Sequence, residues 1–512
     1  MELGLEKRRT GRYTEQFSGG AVYEENTEMI VPDNSPDVLR IIKGCANVFL
    51  KDKSSRDGKT DISGMVKGAV LYVAEGERGL RKLDISMPFA YVLDTPGVTP
   101  DSKLVVVAKL RSIDVREINP RKISVRAGID VAVRAYGEVE LELCADVNDA
   151  DKYGVCVRKT VVSTYSPINL REKSFIVSDD IELSSKECDM AQILVCDAAL
   201  VPGDTKIIGN KAIVKGNAGI TYIYALEDGE IACGEYELPF SQIIDIDGMD
   251  ESNDLRIALN VTGIELDPQY DASGKARYMT ASIAATAVAE VFELTDIESV
   301  NDVYSTKYEL SVASRDVSCK RLCDRKEKRV AVNETVETGM GIKQVLDASV
   351  NLMPCTRRRE EGGEVLGCDA AISVMYIGED DGVYSATRRT AAICPLPLNS
   401  NLCYDVRSEV RGKSFSVGAG NEINVRFFTD FDITETEEIA VPAILSIDAD
   451  PERERRDRDT PSVIVKRLDS DCDIWSLAKE YATTVEEIKL ANDITEDITL
   501  SCGRMVLIPR KR

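Results

Sequence analysis

Apolar and polar residues alternate with a period of two along most of this chain. Stretches such as Ile123-Ser-Val-Arg126, Ser163-Thr-Tyr165 and Val303-Tyr-Ser-Thr-Lys-Tyr308 read as strands with one core face and one solvated face. Acidic-glycine signals close several such runs, at Glu75-Gly76-Glu77, Glu227-Asp228-Gly229 and Asp380-Asp381-Gly382, and predict hairpins there. Helical spacing is scarce. Ser35-Pro-Asp-Val-Leu-Arg-Ile-Ile42, with Pro36 in its first turn, predicts one short helix. From Ser462 onward the pattern changes to strand, helix, helix, strand.

The alternating part repeats itself. Leu71-Tyr72-Val-Ala-Glu75, Ile223-Tyr224-Ala-Leu-Glu227 and Met375-Tyr376-Ile-Gly-Glu379 share one pattern, and their tyrosines are evenly spaced along the chain. Downstream, Met87-Pro-Phe89, Leu238-Pro-Phe240 and Cys394-Pro-Leu396 correspond. Further on, Ile123-Ser-Val-Arg126, Met279-Thr-Ala-Ser282 and Ile423-Asn-Val-Arg426 do so too. Upstream, the stretches from Gly44, Val195 and Val345 line up so that Cys45 and Cys196 face Leu346. The expected architecture is mainly β: three tandem β-rich repeats, sandwich- or barrel-like, at 1–145, 146–295 and 296–448. A charged linker at 449–461, without core residues, then leads to a small βααβ domain at 462–512. The repeated tyrosine and glutamate have two readings, a ligand point used three times or a buried strand residue beside a solvated turn. The second is preferred, because tyrosine suits a half-buried strand.

In the tail, Asp473 is placed to cap the first helix, and Thr484 with Glu487 forms a capping box for the second. Ile474, Leu477, Ala478 and Tyr481 recur at helical spacing and predict a buried stripe. Ile488 with Leu490 or Ala491 supplies the second helix's apolar side, and Gly503 turns the chain into the last strand. The chain's single tryptophan, Trp475, is either a core residue of the first helix or an exposed interface anchor.

Composition narrows the chemistry. The 512 residues carry a net charge of −24, which argues against binding a phosphate backbone. There is no histidine, so Ser-His and Cys-His nucleophiles and His-ligated zinc are excluded. The fourteen cysteines lack zinc-like spacing and are expected to be reduced core fillers. Cys319 and Cys323 are the pair closest to a disulfide or metal pattern. No metal, cofactor or catalytic residue is expected, and the chain reads as a non-enzyme. No apolar run is long enough for a membrane span and no signal peptide opens the chain, so a cytoplasmic protein without membrane insertion is expected.

The tail stretches Asp473–Tyr481, Thr484–Asn492 and Gly503–Pro509 resemble a LysM domain, a small glycan-binding module. The body resembles the SPOCS domains of spore-coat proteins, with Met29-Ile-Val-Pro-Asp-Asn-Ser-Pro-Asp-Val-Leu-Arg-Ile41 as the opening motif. Ile176-Val-Ser-Asp179 and Val330-Ala-Val-Asn333 stand at that place in the other copies. SPOCS repeats followed by a LysM tail resemble the SipL-type spore morphogenetic family. The resemblance implies a coat-assembly scaffold in the mother-cell cytoplasm, at the forespore surface. Its tail is implied to bind the coat morphogenetic ATPase (stage IV A). In LysM domains the ligand groove lies between two loops, which implicates Asp471, Cys472, Asp473, Ile474, Trp475, Asn492, Asp493 and Ile494 in partner or glycan binding. The family loop Pro-Gly-Asp-Thr is replaced here by Ser470-Asp-Cys-Asp473, which favours a protein partner over peptidoglycan. The alternatives are an N-acetylglucosamine glycan-binding protein and a wall-targeted carboxylate glycosidase.

Overall fold

The two-residue alternation is realised as strands that recur in one six-strand plan. The computed structural model describes all residues except 76–78, 186, 273, 419, 455–461, 497–498 and 510–512. In the first module, β1 (Leu5–Ile30), β6 (Lys122–Val147) and β5 (Lys103–Asn119) form one antiparallel sheet, in the order β1-β6-β5. A second sheet, β2-β3-β4, is made by β2 (Val38–Arg56), β3 (Lys59–Ala74) and β4 (Leu80–Asp94). A short helix α1 (Ala150–Tyr153) leads into the second module. There β7 (Val155–Glu182), β12 (Ala276–Ser305) and β11 (Asp254–Tyr270) form the first sheet. The second holds β8 (Met190–Ile208), β9 (Lys211–Leu226) and β10 (Ile231–Asp245).

The third module repeats the plan with β13 (Tyr308–Glu337), β14 (Ile342–Leu352), β15 (Thr356–Glu360), β16 (Gly363–Gly378), β17 (Val383–Cys394), β18 (Cys403–Val417) and β19 (Glu422–Glu454). Here the counterpart of β2 is broken into β14 and β15, both paired with β16. Cys355, in the break, is disulfide-bonded to Cys368, contrary to the all-reduced expectation. Cys319 is buried and Cys323 exposed, and neither is in a disulfide.

Each module is a sandwich. Every second residue from Ile123 to Ala135 is buried and faces Val66, Val70 and Tyr72 of the other sheet. Tyr72, Tyr224 and Tyr376 are each 2% exposed, while Glu75, Glu227 and Glu379 face solvent, so the repeated pair is structural. Residues 76–77 of the first acidic-glycine turn lie outside the described residues.

The expected helix over Ser35–Ile42 is absent: Val38 already begins β2. Bulges between Val38 and Arg40 and between Ile41 and Lys43 shift the side-chain parity. They give Val38 and Ile42 a spacing that imitates a helix turn. Equivalent bulges occur at Leu194 and Leu346. All three turn an apolar side chain toward a common centre. Ile42, Leu71, Leu80, Leu194, Ile223, Ile231, Leu346, Met375 and Val383 form one buried cluster there, three residues from each module. The modules thus share a pseudo-threefold axis. The bulges also correct the alignment of Cys45, Cys196 and Leu346: Leu346 corresponds to Ile42 and Leu194, while Cys45 corresponds to Asp197 and Ser349.

Other expectations shift similarly. The counterparts of the opening motif are not Ile176–Asp179 and Val330–Asn333, which lie inside β7 and β13. Val31, Leu183 and Thr338 are equivalent, each leaving its first strand with a backbone bond to the point where its last strand begins, at Arg121, Arg277 and Asn421. The division at 295/296 falls within β12, and the chain reverses at Thr306–Lys307 instead. Ala449, placed in the linker, is 1% exposed in a core at the end of β19, which runs to Glu454. Linker positions 455–461 lie outside the described residues.

Below the axial cluster, a cavity of about 1190 Å³ is walled by all three modules. Lys43 reaches Asp347 across it at 3.3 Å, and Asn47 reaches Asp197 at 3.0 Å. At the waist, Glu290 of the second module, 1% exposed, accepts from Arg134 of the first at 3.1 Å and from Arg407 of the third. Asp405 accepts from Arg134 at 3.2 Å and from Arg256 at 2.6 Å. Beyond the waist, the long ribbons β1/β6, β7/β12 and β13/β19 pack on one another through Leu143, Ile297 and Ala443, then through Val147, Val300 and Ile447.

Candidate interaction site

The tail begins with β20 (Val463–Arg467), which pairs antiparallel with β23 (Met505–Pro509). Between them lie β21 (Cys472–Asp473), α2 (Ile474–Tyr481), α3 (Val485–Ala491) and β22 (Thr499–Leu500), so the expected βααβ order is present. Local sequence explains both helix starts. Asp473 accepts from the Ser476 amide at 2.9 Å, and Thr484 and Glu487 form the capping box. Gly503 turns the chain with φ +83 and donates to the Leu468 carbonyl at 2.8 Å. Ile474, Leu477, Ala478, Ile488, Leu500, Val506 and Ile508 form the core. Leu490 is 84% exposed and does not contribute to the second helix's apolar side.

A domain of about fifty residues buries a marginal core. This one is completed from outside: Tyr304 of β12, 3% exposed, belongs to the same cluster. Its hydroxyl donates to the Thr483 carbonyl at 2.8 Å. Its ring meets Trp475 edge-on at 4.8 Å. Trp475 Nε1 donates to Asp302 Oδ2 at 2.7 Å, and Lys479 Nζ reaches Asp302 Oδ1 at 2.6 Å. Arg158 of β7 lies over the indole at 5.5 Å and reaches Asp473 Oδ2 at 3.1 Å. Burial pushes the Asp302 carboxyl up, but its bonds to Lys479 and Trp475 outweigh that and hold it below the usual range.

The eight residues singled out in the sequence therefore separate. Asp473 and Trp475 come together on the α2 face that meets the second module. Ile474 and Ile494 are core residues, 3% and 9% exposed. Asp471 accepts from the Cys502 amide at 2.8 Å, and Cys472 pairs with Leu500. Asp493 is exposed, with φ 52. Asn492 ties α3 to the last strand. It donates to the carbonyls of Ile488 at 2.7 Å and Leu507 at 2.6 Å, and accepts from the Leu507 amide at 2.7 Å.

Asn492→Ala leaves the Leu507 amide and two carbonyls without this partner. It is expected to cost about 1–3 kcal/mol, a large share of such a small core. A thermal melt followed by Trp475 fluorescence should show a lower first transition, with the body's far-UV transition unmoved. Coincident, unshifted transitions would refute the clasp.

Sequence reasoning missed Arg158, Asp302 and Tyr304. The available signal was a break in the repeat: where the second module has Asp302 and Tyr304, the first has Asp146 and Asn148 and the third Ser446 and Asp448.

Two regions of the chain, residues 37–118 and 189–269, match the family described as SipL, SPOCS domain. They span β2 to β5 in the first module and the equivalent strands β8 to β11 in the second. The match marks the chain as sporulation-related, in accord with the resemblance read from its motifs. No curated protein and no solved structure matches it. Among the described residues, no helix is long and apolar enough to cross a membrane.

Proposed function

We propose that the chain is a non-enzymatic scaffold of spore-coat assembly, working in the mother-cell cytoplasm at the forespore surface. Its three SPOCS-like modules form the body, and its LysM-like tail binds the coat morphogenetic ATPase (stage IV A). The observation that carries this reading is the placement of both family matches on the same substructure of successive modules, followed by a separate βααβ unit. The interlocked body supports it. An apolar cluster and an ionic network, each drawn from three modules, hold three outward surfaces in fixed relation. Glu290, the most buried carboxylate among the described residues, is ion-paired with Arg134 and Arg407, and Asp405 is held charged.

Pull-down from sporulating cells tests the reading. The full chain should retain the ATPase, and a chain lacking 462–512 should not. Retention by the truncated chain would overturn it, as would release of muropeptides from cell walls by the purified protein.

A further inference from the structure

We propose that the α2 face of the tail is a shared surface: the second module holds it in the free chain, and an acidic protein surface takes it over when the tail engages a partner. This rests on the reading of the tail as the partner-binding unit.

The contact is specific to one of three near-equivalent places. The long ribbons carry matching bulges, and directly after each bulge the register pairs Glu6 with Asp146, Arg158 with Asp302, and Ala313 with Ser446. Two residues further along stand Asn148, Tyr304 and Asp448. Only the second module offers a base, an acid and an aromatic ring together. The tail meets that set with its own complement: Asp473 to Arg158, Trp475 and Lys479 to Asp302, and Thr483 to Tyr304. Pseudo-symmetry thus supplies two internal controls that lack the set.

The ionic part of the contact suits exchange rather than permanent fusion. Arg158, Asp473 and Lys479 keep 41%, 43% and 46% of their side-chain surface exposed, and ion pairs of that kind contribute little each and weaken with salt. Trp475 and Lys479 both converge on a single carboxylate, Asp302. A partner that presents a carboxylate at that point can replace Asp302 bond for bond, and the indole then serves as its anchor. That defines the partner surface by chemistry: acidic, with room for one indole.

The experiment uses the full chain. Trp475 is its only tryptophan, so emission and acrylamide quenching report the face directly. Arg158→Glu gives the second module the acid found at Glu6, and Asp302→Ala removes the shared acceptor; neither substitution lies within the tail. Both variants should show red-shifted emission and several-fold stronger quenching, with the body's far-UV melt unchanged. Both should also bind the stage IV A ATPase several-fold more tightly than the parent chain, in binding measured with purified proteins. Unchanged quenching in both variants would overturn the latch. Increased quenching without tighter ATPase binding would overturn the sharing of the surface. Absence of ATPase binding by parent and variants alike would instead strike the docking reading on which the sharing rests.

Discussion

Replacing Glu290 by glutamine is expected to lower the stability of the body by about 3–5 kcal/mol, read as a fall in the urea midpoint with a native-like far-UV spectrum. Glu290 is 1% exposed and is the meeting point of three groups: Arg134, Arg407 and the Tyr136 hydroxyl at 3.0 Å. Removing its charge leaves Arg407 without its carboxylate and Arg134 with Asp405 alone, at a largely desolvated junction. The loss is larger than that of a surface pair, because the cost is the uncompensated burial of what remains. The same network predicts a pH dependence. Burial raises the Asp405 carboxyl, but Arg134, Arg256 and Arg407 together outweigh it and hold its pKa below the ordinary value. A carboxylate depressed in the folded state adds stability that is complete above its unfolded pKa, about 3.9. That stability is lost as the pH falls through the folded value. Urea midpoints should therefore fall steeply on acidification below about pH 4. Asp405→Asn should lower stability near neutrality and flatten that acid limb. An acid limb as steep as the parent's would show that other carboxylates carry it.

The second large effect is expected at the axis. Met375 is fully buried among residues of all three modules. Met375→Asp places an unpaired charge at their junction and is expected to cost more than about 4 kcal/mol. It should yield a chain with an expanded hydrodynamic radius and protease-sensitive module boundaries. Met375→Leu conserves volume and should cost less than about 1.5 kcal/mol. Size-exclusion chromatography with limited proteolysis distinguishes the two. A compact, protease-resistant Met375→Asp chain would mean that the cluster does not hold the modules together.

Both predictions rest on features that the alternation of the sequence reveals only in part. Strand identity, the threefold repetition and the buried tyrosines at 72, 224 and 376 were readable, because they follow from a period of two and a recurring turn. The axis was not. It depends on bulges at Ile42, Leu194 and Leu346, and a bulge is a register event that leaves no residue-type signature. The same bulges made β2 look helical around Val38–Ile42 and misaligned Cys45 with Leu346. The waist was hidden for a different reason. Arg134, Glu290 and Asp405 are far apart in sequence and look like ordinary solvated strand charges until the topology brings them together.

In the tail, both caps and most of the core stripe were legible, since capping is local chemistry. Of the eight residues placed on the tail's binding loops, Ile474 and Ile494 proved to be core and Asn492 a clasp. A loop position says where a backbone turns, not which way its side chain points. Trp475 is neither a fully buried core residue nor an exposed one: it is half-buried and packs on the second module. No pattern within the tail itself carried that information, because the complement lies at Arg158, Asp302 and Tyr304.

The proposed role is to present surfaces in fixed relation, with the tail as the one that engages the coat ATPase. The most direct measurement is the affinity of purified stage IV A ATPase for the full chain and for the chain ending at residue 461, each checked for a folded body by far-UV spectroscopy. Binding by the full chain and none by the shortened one is the predicted result. Equal binding by the two would contradict the account.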